Sequence, residues 1–216
     1  MTYLMKVLTG LTVVVALIGC SSEKDRVRSI DLARTLVDEL KPEKVQPPVV
    51  ATRATLQGIT DPLILVRTQK DGGLGLLGVQ AVNGDYVTWR TADDISLVIH
   101  GQVLSSTRRF GQDIISALTP VSPANQSRFR REYSYLGGDE QIVKAIADCE
   151  YTVEKSETIV VLDQKFLTQK FLERCISDQL GEYTNIYWLD RRGIAVRSEQ
   201  YVSPKTGFLT LERINQ

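Results

Sequence analysis

Cysteine is the most reactive side chain in this sequence, and it occurs three times, at Cys20, Cys149 and Cys175. Cys20 ends the stretch Leu17-Ile18-Gly19-Cys20, which follows Lys6 and an apolar run from Val7 to Ile18. A basic start, a short apolar segment and a small residue at the cut describe a secretory signal. The run is shorter than the roughly 20 apolar residues that a spanning helix needs. Leu17-Ile18-Gly19-Cys20 is similar to a bacterial lipobox, so Cys20 is predicted to be acylated and to become the mature N-terminus. Its acyl groups then insert in the lipid bilayer, where several chains anchor firmly and one alone binds only marginally. Ser21, not Asp, follows, and the usual bacterial sorting rule then favours the outer membrane.

Cys149 and Cys175 remain. In an oxidising compartment such a pair reads as a disulfide, and closing its 26-residue loop stabilises by roughly 3 kcal/mol on chain-entropy grounds. Two buried thiols are the alternative. A metal site is poorly supplied, because the single histidine, His100, is far off in sequence and no third sulfur is left. His100 ends the stretch ISLVIHG, where a turn or packing role outweighs general-base chemistry. Asp93-Asp94, Asp113 and Asp190 could in principle supply the carboxylate pair of a glycosidase, yet Asp93-Asp94 has the composition of a turn. No serine has the G-x-S-x-G context of a hydrolase nucleophile. The expectation is a protein that is not an enzyme, with no metal and no cofactor.

Gly73-Leu74-Gly75-Leu76-Leu77-Gly78 matches G-x-G-x-x-G after a strand-like segment, PLILVRTQ (62–69). A dinucleotide fingerprint needs a helix opening at its third glycine. Only VQAV separates Gly78 from the hairpin signal Asn83-Gly84, so these glycines are assigned to a bend, a bulge or a close backbone approach.

Binding chemistry is better represented. Trp89 and Trp188 are the only tryptophans, each beside polar neighbours in Trp89-Arg90 and Tyr187-Trp188. Such rings can stack on a saccharide face, with Arg90 or Arg197 taking an acidic sugar, or they can simply fill a β core. Arg108-Arg109-Phe110 is a second candidate contact for a glycan or partner, against the plainer reading of solvated charge. The sequence holds 26 basic and 26 acidic side chains, and Lys6 is the one charge within residues 1–19. A near-neutral mature chain argues against nucleic acid as a partner.

The elements that must position these residues fall into three parts. Residues 1–19 are the signal. Residues 20–48 hold a lipidated tether, a helix and a proline-rich connector. In that helix Val27, Ile30, Ala33, Leu36, Val37 and Leu40 recur at three- and four-residue steps, with Pro42 at its end. Its stripe either docks on the body or binds a partner. Residues 49–216 are expected to be a single β domain. VVATRATL, PLILVRTQ, LLGVQAV, DYVTWRT, ISLVIHG and QVLSSTR are short, β-branched and divided by turn residues. Residues 107–127 read as an irregular connection, with one helical turn at DIISAL. A second β half follows, with turns at Gly137-Gly138, Lys155-Ser156 and Arg192-Gly193. KFLTQKFLERC is assigned to a strand in preference to a helix, with Leu167, Phe171 and Cys175 on one face. Fold class is therefore all-β, an antiparallel meander closed as a sandwich or a partly open barrel, with one N-terminal amphipathic helix.

Several blocks carry a resemblance. Thr88-Trp89-Arg90-Thr91-Ala92-Asp93, Gly101-Gln102-Val103-Leu104, Thr107-Arg108 and Gly111-Gln112-Asp113-Ile114-Ile115-Ser116-Ala117 look like the YjbF/GfcB lipoproteins. Asn185-Ile186-Tyr187-Trp188, Arg197 to Pro204 and Gly207-Phe208-Leu209-Thr210-Leu211-Glu212 match later blocks, and Cys149 and Cys175 fall where that family places paired cysteines. Arg109-Phe110 and Ile114-Ile115 depart from the pattern. The resemblance implies a lipoprotein of exopolysaccharide or group 4 capsule export, on the periplasmic side of the outer membrane. It implies work beside an outer-membrane β-barrel protein and other polysaccharide-export components, with no catalytic residues to carry over. Direct binding of the polysaccharide is the alternative role, and a glycan-acting enzyme a further one.

Overall fold

The chain alternates in period two over most of its length, and in the computed structural model those stretches become twelve antiparallel strands. The structure describes residues 52, 54–120, 127–137 and 141–214. The strands are β1 (Leu63–Thr68), β2 (Leu74–Asn83), β3 (Tyr86–Arg90), β4 (Ser96–His100), β5 (Val103–Arg108), β6 (Ile114–Leu118), β7 (Arg128–Leu136), β8 (Ile142–Val161), β9 (Gln164–Ser177), β10 (Gly181–Leu189), β11 (Ala195–Ser203) and β12 (Gly207–Arg213). Each pairs with its sequence neighbour, and β1 pairs with β12, so only the β5–β6 step lacks a ladder. The sheet is a nearly closed barrel, not a sandwich. Side chains bridge the one seam: Ser105 Oγ donates to the Ala117 carbonyl at 3.4 Å, and the Ile114 amide donates to Thr107 Oγ1 at 3.0 Å. All twelve strands lie in one compact unit, residues 50–216.

Turn chemistry fixes the register. Gly72, Gly84, Gly101 and Gly193 all take positive φ at the tight connections where glycine tolerates it without a Cβ penalty. Gly75 and Gly78 lie in β2, with Gly78 opposite Leu63 on one side and Arg90 on the other. The glycine motif thus occupies a turn and a strand, and no phosphate-binding helix follows it.

Twelve strands enclose a wider lumen than the eight that ordinary side chains just fill. Large inward residues take up that space: Arg131, Tyr133, Tyr187, Leu104, Gln200 and Glu173 are fully buried. Opposite them β8 presents small residues, with Tyr133 facing Ala145 and Arg131 facing Ala147. The void beside Ile64, Ile99 and Leu211 is only about 10 Å³.

A second apolar layer lies outside the barrel. The tip of the long β8–β9 hairpin packs Ile159, Val161 and Phe166 on Leu63, Leu65, Trp188 and Val196 from the sheet's outer face. A bulge between Val153 and Ser156 interrupts the β8–β9 register below this tip.

Four expectations are corrected. Residues 54–56 of VVATRATL form turns, not a strand. Within 107–127, Ile114–Leu118 is strand β6, with no helical turn, because Ile114 and Ala117 bury inward and pair with β7. Lys155-Ser156 lies inside β8, and the hairpin reverses at Leu162-Asp163, both at positive φ. Leu167 does not share a buried face with Cys175: it is 54% exposed. At the hairpin tip β9 turns Phe166 and Thr168 toward the protein and leaves Lys165 and Leu167 in solvent. The signal, Cys20, the amphipathic helix and the connector fall outside the described residues.

Candidate functional site

Cys149 and Cys175 stand directly opposite one another on β8 and β9 and are joined as a disulfide. Glu173, two residues back on the same inward face, places Oε1 3.5 Å from Cys175 Sγ. Cys149, Glu173 and Cys175 are the one cluster of potential metal ligands among the described residues. Both sulfurs are committed to each other, and the carboxylate is committed to Arg131.

That carboxylate is the hub of the interior. Arg131 Nε lies 2.5 Å from Glu173 Oε1, with side-chain exposures of 1% and 0%. Arg131 Nη2 donates to Glu173 Oε2 at 3.0 Å, Tyr187 Oη donates to the same oxygen at 2.7 Å, and Asn185 Nδ2 donates to it at 3.0 Å. Tyr183 Oη donates to Tyr133 Oη at 3.0 Å, and Gln200 Oε1 accepts the Leu104 amide across the lumen at 2.7 Å. Burial alone would disfavour a charge on Arg131, yet Glu173 and the surrounding phenols hold it firmly cationic. Burial also pushes the Tyr133 and Tyr187 phenols up, so both keep their protons; Tyr187 donates to Glu173, while Tyr133 accepts from Arg131 and Tyr183. The arrangement ties five strands together through side chains that are all buried.

The sequence-selected contact residues separate into three places. Trp89 points into the barrel at 2% exposure, away from the surface a saccharide could reach. Trp188 and Arg197 lie beneath the β8–β9 hairpin. There Trp188 Nε1 donates to Glu157 Oε1 at 2.5 Å, with Lys170 Nζ 5.4 Å and Arg197 Cζ 5.8 Å from its ring centroid. Arg197 Nε donates to Glu212 at 2.7 Å and its Nη2 to the Val160 carbonyl at 2.8 Å. These contacts clamp the hairpin to the sheet.

Arg90, Arg108 and Arg109 come together. Ser96 on β4 faces Arg90 on β3 and Arg108 on β5, and Val98 likewise faces Thr88 and Ser106. Of these two rows, Thr88, Ser96, Val98, Ser106 and Arg108 floor a cleft of about 610 Å³, also lined by Gln80, Asp113, Ile115 and Leu136. A second hollow of about 380 Å³ shares Gln80, Ser96 and Arg108 with it and adds Arg90, Asp94 and Arg109. The two adjoin through these shared residues as one groove.

Its loop wall is held rigidly by Asp113, whose carboxylate accepts Thr107 Oγ1 at 2.8 Å, the Arg109 amide at 2.7 Å and the Phe110 amide at 3.0 Å. Phe110 turns inward and packs on the core, while its carbonyl accepts Thr206 Oγ1 at 3.2 Å. Arg90 pairs with Asp94, and hydrogen bonding and charge from that guanidinium hold the Asp94 carboxyl below its usual range. Arg109 Nη1 donates to the Asp93 carbonyl at 2.9 Å.

The remaining chemistry-bearing residues are structural in their surroundings. His100 stacks on Tyr86 with centroids 3.9 Å apart. Asp190 accepts from the Arg192 and Ile194 amides at the β10–β11 turn.

Two comparisons place this architecture. The profile of the family described as "Group 4 capsule polysaccharide lipoprotein gfcB, YjbF" matches residues 20–214. The crystal structure of the hypothetical lipoprotein YmcC from Escherichia coli (K12) superposes with a TM-score of 0.65 at 16% identity, covering 76% of this chain and 94% of that one. At that identity the likeness establishes the fold alone. No curated protein matches the chain.

Proposed function

Starting from the fact that this chain belongs to the YjbF family of group 4 capsule polysaccharide lipoproteins, we propose that it is a non-catalytic accessory component of capsule or exopolysaccharide secretion. In this reading Cys20 carries the acyl anchor, the body sits on the periplasmic side of the outer membrane, and it docks on an outer-membrane β-barrel partner. One observation carries the docking: the outward face of β6–β9 exposes Leu118, Leu136, Ile142, Ile146 and Ile176. Leu136 stands opposite Ile142, and Leu118 and Ile146 flank Glu132 in a single row. Large exposed apolar side chains grouped on one face and rimmed by polar residues mark interaction surfaces. The barrel's own core does not need them. A non-catalytic role is supported by the engagement of Asp94, Asp113, Asp190 and His100 in turns, loop caps and a ring stack.

The reading is tested by purifying the lipidated protein in mild detergent from cells that make the polymer. The β-barrel partner is expected to co-purify, and Leu136→Glu with Ile142→Glu to abolish this without changing the circular dichroism spectrum. Clean separation of the unmodified protein from every outer-membrane barrel would overturn the docking.

The second reading, direct contact with the polymer, is favoured by the groove over β2–β5.

A further inference from the structure

We propose that the groove over β2–β5 binds an anionic stretch of saccharide, with a sugar carboxylate received by Arg108. This rests on the reading that the protein works beside an exported polysaccharide. Most of the charges around the groove are already spent. Arg90 is paired with Asp94, and Arg109 bonds the Asp93 carbonyl. Both Asp113 oxygens are filled by the loop. The Arg108 guanidinium makes no ion pair or hydrogen bond among the described residues, and the residue lines both halves of the groove. A guanidinium with five donors in a fixed fork matches a carboxylate.

The floor argues for sugar over peptide. β4 is hydrogen-bonded on both sides, to β3 and to β5. Its backbone groups are therefore saturated, and no extended peptide can add to it as a strand. What the floor presents is Gln80, Thr88, Ser96 and Ser106, amide and hydroxyl groups that suit the alternating donors and acceptors of a saccharide. Val98 offers apolar contact for the ring's C–H face. Arg90 and Arg108 stand two strands apart, about 10 Å, a span for a short oligosaccharide. The Asp113 cap fixes the wall before any ligand arrives, which lowers the ordering cost of binding.

A contrasting cleft supplies the control. Over β7–β10 a hollow of about 640 Å³ is lined by Arg128 and Arg174 but also by Asp148, Glu150 and Glu182, and Arg128 lies 3.5 Å from Glu150. Its carboxylates outnumber its guanidinia, so an anionic chain is repelled there.

The experiment titrates the full lipidated protein in detergent with oligogalacturonate, with the same oligosaccharide after carboxyl reduction, and with an acidic peptide of equal charge. Saturable binding of oligogalacturonate at millimolar ligand is expected. Arg108→Ala should weaken it at least about tenfold, as loss of a charge-assisted hydrogen-bond pair does, and Arg174→Ala should leave it unchanged. The carboxyl-reduced sugar should bind at least about tenfold more weakly, by the same loss. No saturable binding, equal binding by Arg108→Ala, or equal binding of the reduced sugar overturns the proposal. So does an acidic peptide that binds as tightly with the same dependence on Arg108, which reassigns the groove to a protein partner. These outcomes leave the secretion role untouched, because that role is read from surface polymer and co-purification.

Discussion

Replacing Glu173 with alanine is expected to remove a large share of the protein's folding stability. The substitution strands Arg131, 1% exposed, with no counter-charge, and removes the acceptor of Tyr187 and Asn185. Breaking one side of a buried ion pair costs about 3–5 kcal/mol, against a total stability of about 5–15 kcal/mol for a domain. Removing both partners is a different experiment. Arg131→Met with Glu173→Leu replaces the pair by apolar side chains and should retain more stability than Glu173→Ala alone. Urea denaturation followed by far-ultraviolet circular dichroism measures both. A Glu173→Ala midpoint within error of the parent would show that the lumen is wet or rearranged, contrary to the packing described above.

The second large effect concerns the disulfide. Cys149→Ala with Cys175→Ala should lower stability by about 3 kcal/mol, the chain-entropy value for a separation of 26 residues. In the parent, reduction alone should produce the same loss. The two treatments should not add, since they remove one constraint. The expected signature is a lower urea midpoint for the reduced parent and no change when reductant is given to the double variant. Equal midpoints for oxidised and reduced parent would mean that β8 and β9 hold their register without the bond.

The strand grammar was legible because turns announce themselves. Asn83-Gly84, His100-Gly101 and Arg192-Gly193 carry the glycines that reversed chains need at positive φ, and the segments between alternate in period two. The hairpin at Leu162-Asp163 was not legible. Leucine at positive φ is disfavoured locally and is held there by the packing of Ile159, Val161 and Phe166 on the outer face, a tertiary effect. Strand β6 was hidden by its five residues: too few alternations to outweigh the prolines and glycines around it.

The interior ion pair was missed for another reason. Arg130 and Arg131 are adjacent, and charge is expected outside. The available signal was parity, since Arg131 shares its face with Phe129, Tyr133 and Tyr135, the residues that turn inward. For the groove, Arg90, Arg108 and Arg109 could be picked from the sequence as candidates, but their meeting depends on the register of β3, β4 and β5. Trp89 and Trp188 were resolved by the fold as well: one faces the lumen and the other lies under a hairpin whose bend no local pattern announced.

The central claim is that a lipid-anchored member of this family assists delivery of polysaccharide to the cell surface. Surface polymer, quantified in cells lacking the gene and complemented with either the parent or Cys20→Ser, tests it most directly. The account predicts loss of surface polymer on deletion, recovery with the parent, and little recovery with Cys20→Ser, which is released from the membrane fraction. Unchanged surface polymer in the deletion strain would contradict it.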